Sequence, residues 1–142
     1  MRKVILVGNP NTGKTTLYNT LTRSNEHAGN WHGVTVAVKE RKFSIDKEDF
    51  LLCDLPGLYS LDAYSEEEKL AAAYAEENKS AIFLCITDAN NLRRNLYLAL
   101  ELKERYQNVV VAVNMAKEVK GFDAAALEKE IGLPVVDRKS VV

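Results

Sequence analysis

A chain of 142 residues with 19 Lys+Arg against 20 Asp+Glu and a formal charge of −1 has room for one compact domain, and no global field to draw in nucleic acid or an anionic membrane. Its two cysteines, Cys53 and Cys85, sit singly inside apolar runs, so a disulfide framework and a zinc site are both excluded and a reducing compartment is expected. Val4 to Val7 is broken too soon by Gly8 for a signal peptide, and the longest apolar run, Ala81 to Ile86, is too short to cross a bilayer, so a soluble chain is expected.

Val4-Ile5-Leu6-Val7, stopped by Gly8-Asn9-Pro10-Asn11, has the pattern of a strand buried on both faces and ended by turn residues. A helix from Thr15 to Arg23 follows, with Leu17, Tyr18 and Leu21 at helical spacing, until the polar stretch Ser24 to Gly33 breaks it. Between Val34 and Ile45, Val34, Val36 and Val38 alternate with Thr35, Ala37 and Lys39, the period of a half-exposed strand. Phe50 to Cys53 predicts the next buried strand. Ser65 and Glu68 have capping-box spacing, so a helix is expected from Glu66 to about Asn78, with an acidic first turn suited to its dipole. Ala81 to Ile86 and Val109 to Val113 predict two more buried strands, joined by a helix over Leu92 to Tyr106 with Leu96, Ala99 and Leu100 on its inner face. Ala124 to Ile131 predicts a shorter helix and Leu133 to Val136 a last strand. Strands alternating with helices indicate a single α/β domain over 1–142, its mostly parallel sheet covered by helices on both faces. No repeat, low-complexity tract or linker interrupts it.

Gly8-Asn9-Pro10-Asn11-Thr12-Gly13-Lys14-Thr15 matches the complete P-loop pattern, and it lies between an expected strand and an expected helix, where that pattern works. Successive backbone N–H groups and the helix N-terminus make a nest for phosphates. Lys14 is then the residue that reaches the β- and γ-phosphates, and the Thr15 hydroxyl a ligand for Mg²⁺. Asp54 ends a buried strand and opens Asp54-Leu55-Pro56-Gly57, so it can hold the metal through water while Gly57 brings a backbone N–H to a γ-phosphate. A chance glycine-rich turn and an ordinary strand-end turn are the blander readings, and the agreement of strand, loop, helix and carboxylate weighs against both. Glu66-Glu67-Glu68 and Arg93-Arg94 read as solvated helix faces, and Cys53 and Cys85 as small core residues. His27 and His32 have no companion at metal-ligand spacing, and Trp31 reads as a loop anchor.

Four stretches carry a resemblance together: Gly8 to Asn19, Gly29-Asn30-Trp31-His32-Gly33-Val34-Thr35-Val36, Asp54-Leu55-Pro56-Gly57-Leu58-Tyr59-Ser60-Leu61, and Asp88-Ala89-Asn90-Asn91-Leu92-Arg93-Arg94-Asn95-Leu96-Tyr97. They cover the chain nearly end to end, and in them it resembles the G domain of FeoB-type ferrous-iron transporters, within the small GTPases. The resemblance implies a Ras-like P-loop fold and a cytoplasmic GTP-hydrolysing switch that takes GTP or GDP with Mg²⁺ and K⁺. In the parent protein such a switch is attached, at the cytoplasmic face of the inner membrane, to a helical domain and a membrane iron-transport domain, both absent from this chain. Asn9, Asn11, Thr12, Gly13, Lys14, Thr15, Thr16, Asp54 and Gly57 are implied as nucleotide-binding, and Lys14, Thr35 and Gly57 as catalytic. Thr35 resembles the switch threonine that binds Mg²⁺ and senses the γ-phosphate. Asn11 resembles the P-loop asparagine that helps hold K⁺, whose charge takes the place of an arginine finger. A strand-edge threonine and a turn-forming asparagine are the plainer readings. Leu58 and Tyr59 stand where many GTPases place a water-orienting glutamine, so hydrolysis is expected to be slow.

Guanine recognition in this class uses Asn-Lys-x-Asp or, in the FeoB branch, Asn-Met-x-Asp, and this chain has Asn114-Met115-Ala116-Lys117. Asn114 and Met115 fit, whereas Lys117 has three donors and no acceptor to offer the guanine N–H groups. Glu118 substitutes only if the loop shifts. After Val136 the chain runs Asp137-Arg138-Lys139-Ser140-Val141-Val142 where the family has a Ser-Ala type base loop and a final helix. The sheet is therefore expected to lack its usual last helix, and the chain to form a homodimer through the C-terminal region. Two other functions compete with a GTP-binding switch. A degenerate G-domain interaction module with weak nucleotide binding is favoured by Lys117 and the altered end; a small P-loop kinase would need an arginine-rich acceptor lid that the chain does not offer.

Overall fold

Val4 to Val7 forms the centre of the first strand, β1 (Arg2–Gly8), and the other strands are β2 (Lys39–Ile45), β3 (Glu48–Asp54), β4 (Ile82–Asp88), β5 (Val109–Asn114) and β6 (Val135–Asp137). The structure is a computed structural model and describes residues 2–9, 12–14, 17–18, 39–58, 61, 65–114 and 120–137. The strands make one six-stranded sheet in the order β2-β3-β1-β4-β5-β6. All neighbours run parallel except β2 and β3, an antiparallel hairpin at the edge. Parallel strands are covered on both faces, which is why the inner runs are continuously apolar rather than alternating. Ile5, Val7, Cys53, Phe83, Cys85, Val111 and Val113 pack to one side, and Leu6, Leu52, Ile86 and Ala112 to the other. That partition is the two-residue period of the pleat, repeated in register across four strands.

The helices are α1 (Glu66–Glu77), α2 (Leu92–Arg105) and α3 (Ala124–Ile131). The expected capping box opens α1: Glu68 N–H donates to Ser65 Oγ at 3.0 Å and Ser65 N–H to Glu68 Oε1 at 3.1 Å. Ala71, Tyr74 and Ala75 of α1 and Leu98, Ala99 and Leu102 of α2 cover the first face of the sheet. On the second face the described cover is Leu17 and Tyr18, which are helical as expected; the remainder of the expected helix to Arg23 lies outside the described residues. Asp123 caps α3 by accepting from Ala125 and Ala126 N–H, and Gly132 closes it at φ 72°, a left-handed position that suits glycine.

The inner face of α2 differs from the expected one. Asn95, Leu98, Ala99 and Leu102 are buried, Leu96 is half-buried and Leu100 points outward at 42% exposure. The polar residue on the buried stripe explains the difference: Asn95 Oδ1 accepts from Asp88 N–H at 2.7 Å, tying the helix to the end of β4. Of the expected Leu96, Ala99 and Leu100, only Ala99 lies on the fully buried stripe. Strand limits also shift by a residue or two, β3 starting at Glu48, β4 at Ile82 and β6 at Val135. The alternating run from Val34 enters β2 only at Lys39, and Val34 to Val38 lie outside the described residues. Asp46 (φ 50°) and Lys47 (φ 69°) form the two-residue turn of the β2–β3 hairpin, whose left-handed conformation matches the twist of the strands.

Candidate functional site

β1 delivers the phosphate loop. Gly8 ends the strand where β4 passes so closely that a Cβ would lie 2.8 Å from the Ile86 carbonyl oxygen. The loop then folds on itself, Thr12 Oγ1 donating to the Asn9 carbonyl at 2.9 Å, and Gly13 turns at φ 89°. Lys14 begins the helix, and Leu17 N–H donates to the Gly13 carbonyl at 3.0 Å. Strand β5 braces the loop from the side, because Asn114 Nδ2 donates to the Thr12 carbonyl at 3.0 Å. Asn9 is buried, and its Oδ1 has no hydrogen-bond partner among the described residues.

The second half of the site comes off β3. Asp54 ends that strand opposite Leu6 of β1, and the chain continues along β1, with Leu55 N–H donating to Leu6 O at 3.3 Å and Leu58 N–H to Gly8 O at 3.0 Å. Gly57 is thereby carried to the edge of the phosphate loop. Beyond it, Glu101 of α2 accepts from Leu61 N–H at 3.2 Å and pins the segment from the other side. Lys14 and Asp54 meet in the middle, 8% and 5% exposed. The Lys14 ammonium donates to Asp54 Oδ1 and, at 2.6 Å, to the Leu55 carbonyl. Each charge is compensated by the other, which is the condition for burying them at all.

The donor set fits a nucleotide with its metal. A lysine and a run of loop N–H groups suit phosphate oxygens, and a lone carboxylate beside them suits Mg²⁺, which takes one or two carboxylates and fills its other positions with phosphate and water. Among the described residues no group of three or more His, Cys, Asp or Glu side chains could hold a metal ion. The surface hollows of about 400 and 450 Å³ lie at the opposite end of β1, around Arg2. Neither is lined by Lys14, Asp54 or the loop from Gly8 to Gly13. Among the described residues no helix is long and apolar enough to cross a membrane.

Of the residues singled out in the sequence, Asn9, Thr12, Gly13, Lys14, Asp54, Gly57 and Asn114 converge at the carboxyl ends of β1, β3 and β5. Asn11, Thr15, Thr16, Thr35, Met115, Lys117 and Glu118 lie outside the described residues, as do His27, Trp31 and His32. Three participants were not expected: the Leu55 carbonyl on Lys14, Glu101 on Leu61, and the role of Asn114 in bracing the phosphate loop. A backbone carbonyl leaves no mark in a sequence. Glu101 sits on a helix where a charged residue normally means solvent, and only the segment folding back over α2 gives it a partner.

Residues 2–141 match the family described as Ferrous iron transport protein B. This chain belongs to the FeoB family. The Fe(2+) transport protein A/Fe(2+) transporter FeoB fusion protein of Porphyromonas gingivalis is 45% identical over 139 residues, 94% of this chain and 16% of that protein. The Fe(2+) transporter FeoB of Escherichia coli K12 is 42% identical, over 92% of this chain and 18% of that protein. The chain thus spans about one-sixth of the length of the curated relatives it matches. Among solved structures, the G domain of the T. maritima FeoB iron transporter superposes with a TM-score of 0.88 at 40% identity, covering 96% of this chain and 86% of that one. A GDP-bound mutant of the S. thermophilus FeoB G domain gives 0.82 at 39% identity, covering 96% and 54%. The fold is accordingly that of the P-loop GTPases, as the FeoB resemblance implies.

Proposed function

We propose that this FeoB G domain binds GTP and GDP with Mg²⁺, hydrolyses GTP slowly, and serves as a switch for ferrous-iron transport by the membrane part of a longer protein on the cytoplasmic side. The observation that carries the reading is the meeting of Lys14 with Asp54 beneath the loop from Gly8 to Gly13. A lysine for phosphate and a carboxylate for its metal are held within one another's reach before either is needed. On nucleotide binding Lys14 exchanges Asp54 for the β- and γ-phosphates, which frees the carboxylate to hold a metal-bound water. Thr15 and Thr35 would supply hydroxyl ligands to the metal, and Gly57 N–H would meet the γ-phosphate. Mg²⁺ and K⁺, when bound, spread the charge that develops on the phosphate oxygens. Water attacks the γ-phosphorus, the bond to the β–γ bridging oxygen breaks, and GDP and phosphate leave. Leu58, buried, and Tyr59 offer no side-chain amide to aim that water, so the rate stays low.

Titration of labelled GTP, GDP and ATP against the chain with Mg²⁺, in potassium and in sodium buffers, tests this directly. Guanine nucleotides bind and ATP binds more weakly; absence of binding by all three would reject the reading. Hydrolysis is faster in potassium than in sodium, and Asn11→Ala removes the difference, because Asn11 stands where a cation ligand belongs in the phosphate loop. Equal turnover in the two salts for the parent chain would remove K⁺ from the mechanism. Lys117 favours a second reading, a G-domain interaction module with weak nucleotide binding and little catalysis, which the same titration separates by its affinities.

The apolar second face of the sheet also supports self-association. Val4 and Leu84 are only partly buried there and Val136 is 39% exposed, while a net charge of −1 opposes contact weakly. Light scattering over a concentration series is expected to give a dimer that dissociates on deleting Leu133 to Val142; a monomer mass at the highest concentration would reject it.

A further inference from the structure

Lys14 and Asp54 stand apart from the other ion pairs among the described residues by their burial. Their side chains are 9% and 5% exposed, whereas those of Lys3 and Glu40, the next most enclosed pair, are 27% and 28% exposed. Lys3 and Glu40 lie 3.9 Å apart and each has another partner: Lys3 donates to Asn78 Oδ1 at 2.8 Å, and Glu40 Oε2 accepts from the Tyr74 hydroxyl at 2.8 Å. The Asp54 carboxylate, among the described residues, accepts from Lys14 alone. Both members of this pair are also groups that the proposed function needs, one for phosphate and the other for metal.

An ammonium has three N–H donors. Lys14 gives one to Asp54 Oδ1 and one to the Leu55 carbonyl at 2.6 Å, which leaves one for phosphate. Both acceptors are firmly seated: Asp54 ends β3 in register with Leu6, and the buried Leu55 donates its own N–H to the Leu6 carbonyl at 3.3 Å. The carboxylate that anchors Lys14 carries the same sign of charge as the phosphates. A phosphate group drawn to the ammonium therefore meets Asp54 beside it, and if it takes the ammonium over, it leaves that carboxylate buried without a counter-charge. A divalent cation arriving with the phosphates offsets both costs, because its charge lies between the two anions.

We infer that Asp54 competes with the phosphates for Lys14, and thereby makes the site specific for a nucleotide carrying its divalent cation over the bare nucleotide anion. The inference rests on the nucleotide reading above and gives Asp54 a second role, opposite in sign to the first. With metal present the carboxylate strengthens binding; without metal it opposes binding. A carboxylate that acted only as a metal ligand would leave metal-free binding unchanged. Lys14 and Asp54 are in direct contact, so the competition needs no other segment to transmit it.

Fluorescently labelled GDP, titrated against the whole chain in EDTA and again in Mg²⁺, reads the two roles separately. In the parent chain Mg²⁺ raises the affinity by about tenfold or more. Asp54→Asn keeps the size of the side chain and removes its charge; in EDTA it binds GDP about threefold or more tighter than the parent, and it gains less than about threefold from Mg²⁺. Asp54→Ser gives the same comparison with a shorter neutral side chain, and carries the test if the amide variant does not fold. Inorganic pyrophosphate, which has no base to recognise, displaces labelled GDP from Asp54→Asn in EDTA at lower concentration than from the parent. Metal-free affinity in the variants no higher than in the parent would overturn the competition and leave Asp54 a metal ligand only, as would a parent chain that binds GDP equally with and without Mg²⁺. A parent chain that binds no GDP even with Mg²⁺ would overturn the nucleotide reading as well.

Discussion

Lys14→Ala abolishes detectable binding of GTP and GDP in calorimetry, and it also lowers the melting temperature. The first effect follows from chemistry: the loop N–H groups remain, but the point charge for the β- and γ-phosphates is gone, and no other described basic side chain is buried at the loop. The second follows from burial. Asp54 is 5% exposed, and without the ammonium its carboxylate stays in the interior with no counter-charge. Breaking a buried pair from one side costs about 3–5 kcal/mol, enough to threaten a domain of this size. Adding Asp54→Asn to Lys14→Ala separates the two effects, since the neutral amide recovers most of the lost stability without recovering nucleotide. Binding by Lys14→Ala equal to that of the parent would show that the phosphates sit elsewhere.

Lys117→Asp tightens guanine nucleotides and widens the gap between GTP and ATP. A carboxylate at that position accepts from the ring N–H and the exocyclic amine, two donors that Lys117 leaves without a partner. Charge-assisted hydrogen bonds of about 1.5–3 kcal/mol correspond to roughly tenfold to a few hundredfold in affinity. Glu118→Ala in the parent background shows whether the neighbouring carboxylate already takes part. A large loss of GTP affinity there, with a small gain from Lys117→Asp, would assign guanine reading to Glu118. No change in either variant would remove base recognition from this stretch altogether.

The order of strands and helices was legible because the inner strands are continuous apolar runs and the helices carry local signals, above all the capping box of Ser65 and Glu68. Those are one-dimensional features, decided within a few residues of chain. The phosphate loop was legible for the same reason, since its eight positions are consecutive. What could not be read is contact at long range. Asn95 turns α2 by one stripe through a bond to the backbone of Asp88, and a polar residue on a helix gives no warning of that. Lys3, Glu40, Cys53 and Tyr74 lie far apart in sequence and are brought together only by the strand order that puts β1, β3 and β2 side by side under α1. Asp46 and Lys47, both at positive φ, lack the glycine that normally announces such a turn, and the pairing of β2 with β3 imposes it.

The hydrogen bond from Asn114 to Thr12 makes grip and selectivity separable properties of this fold. Asn114, which opens the stretch proposed to read the base, braces the loop with its own side-chain amide, independently of whichever residue stands three places further on. On the proposed nucleotide reading, a change at Lys117 is expected to alter base preference while the hydrogen bond from Asn114 to Thr12 goes on bracing the loop.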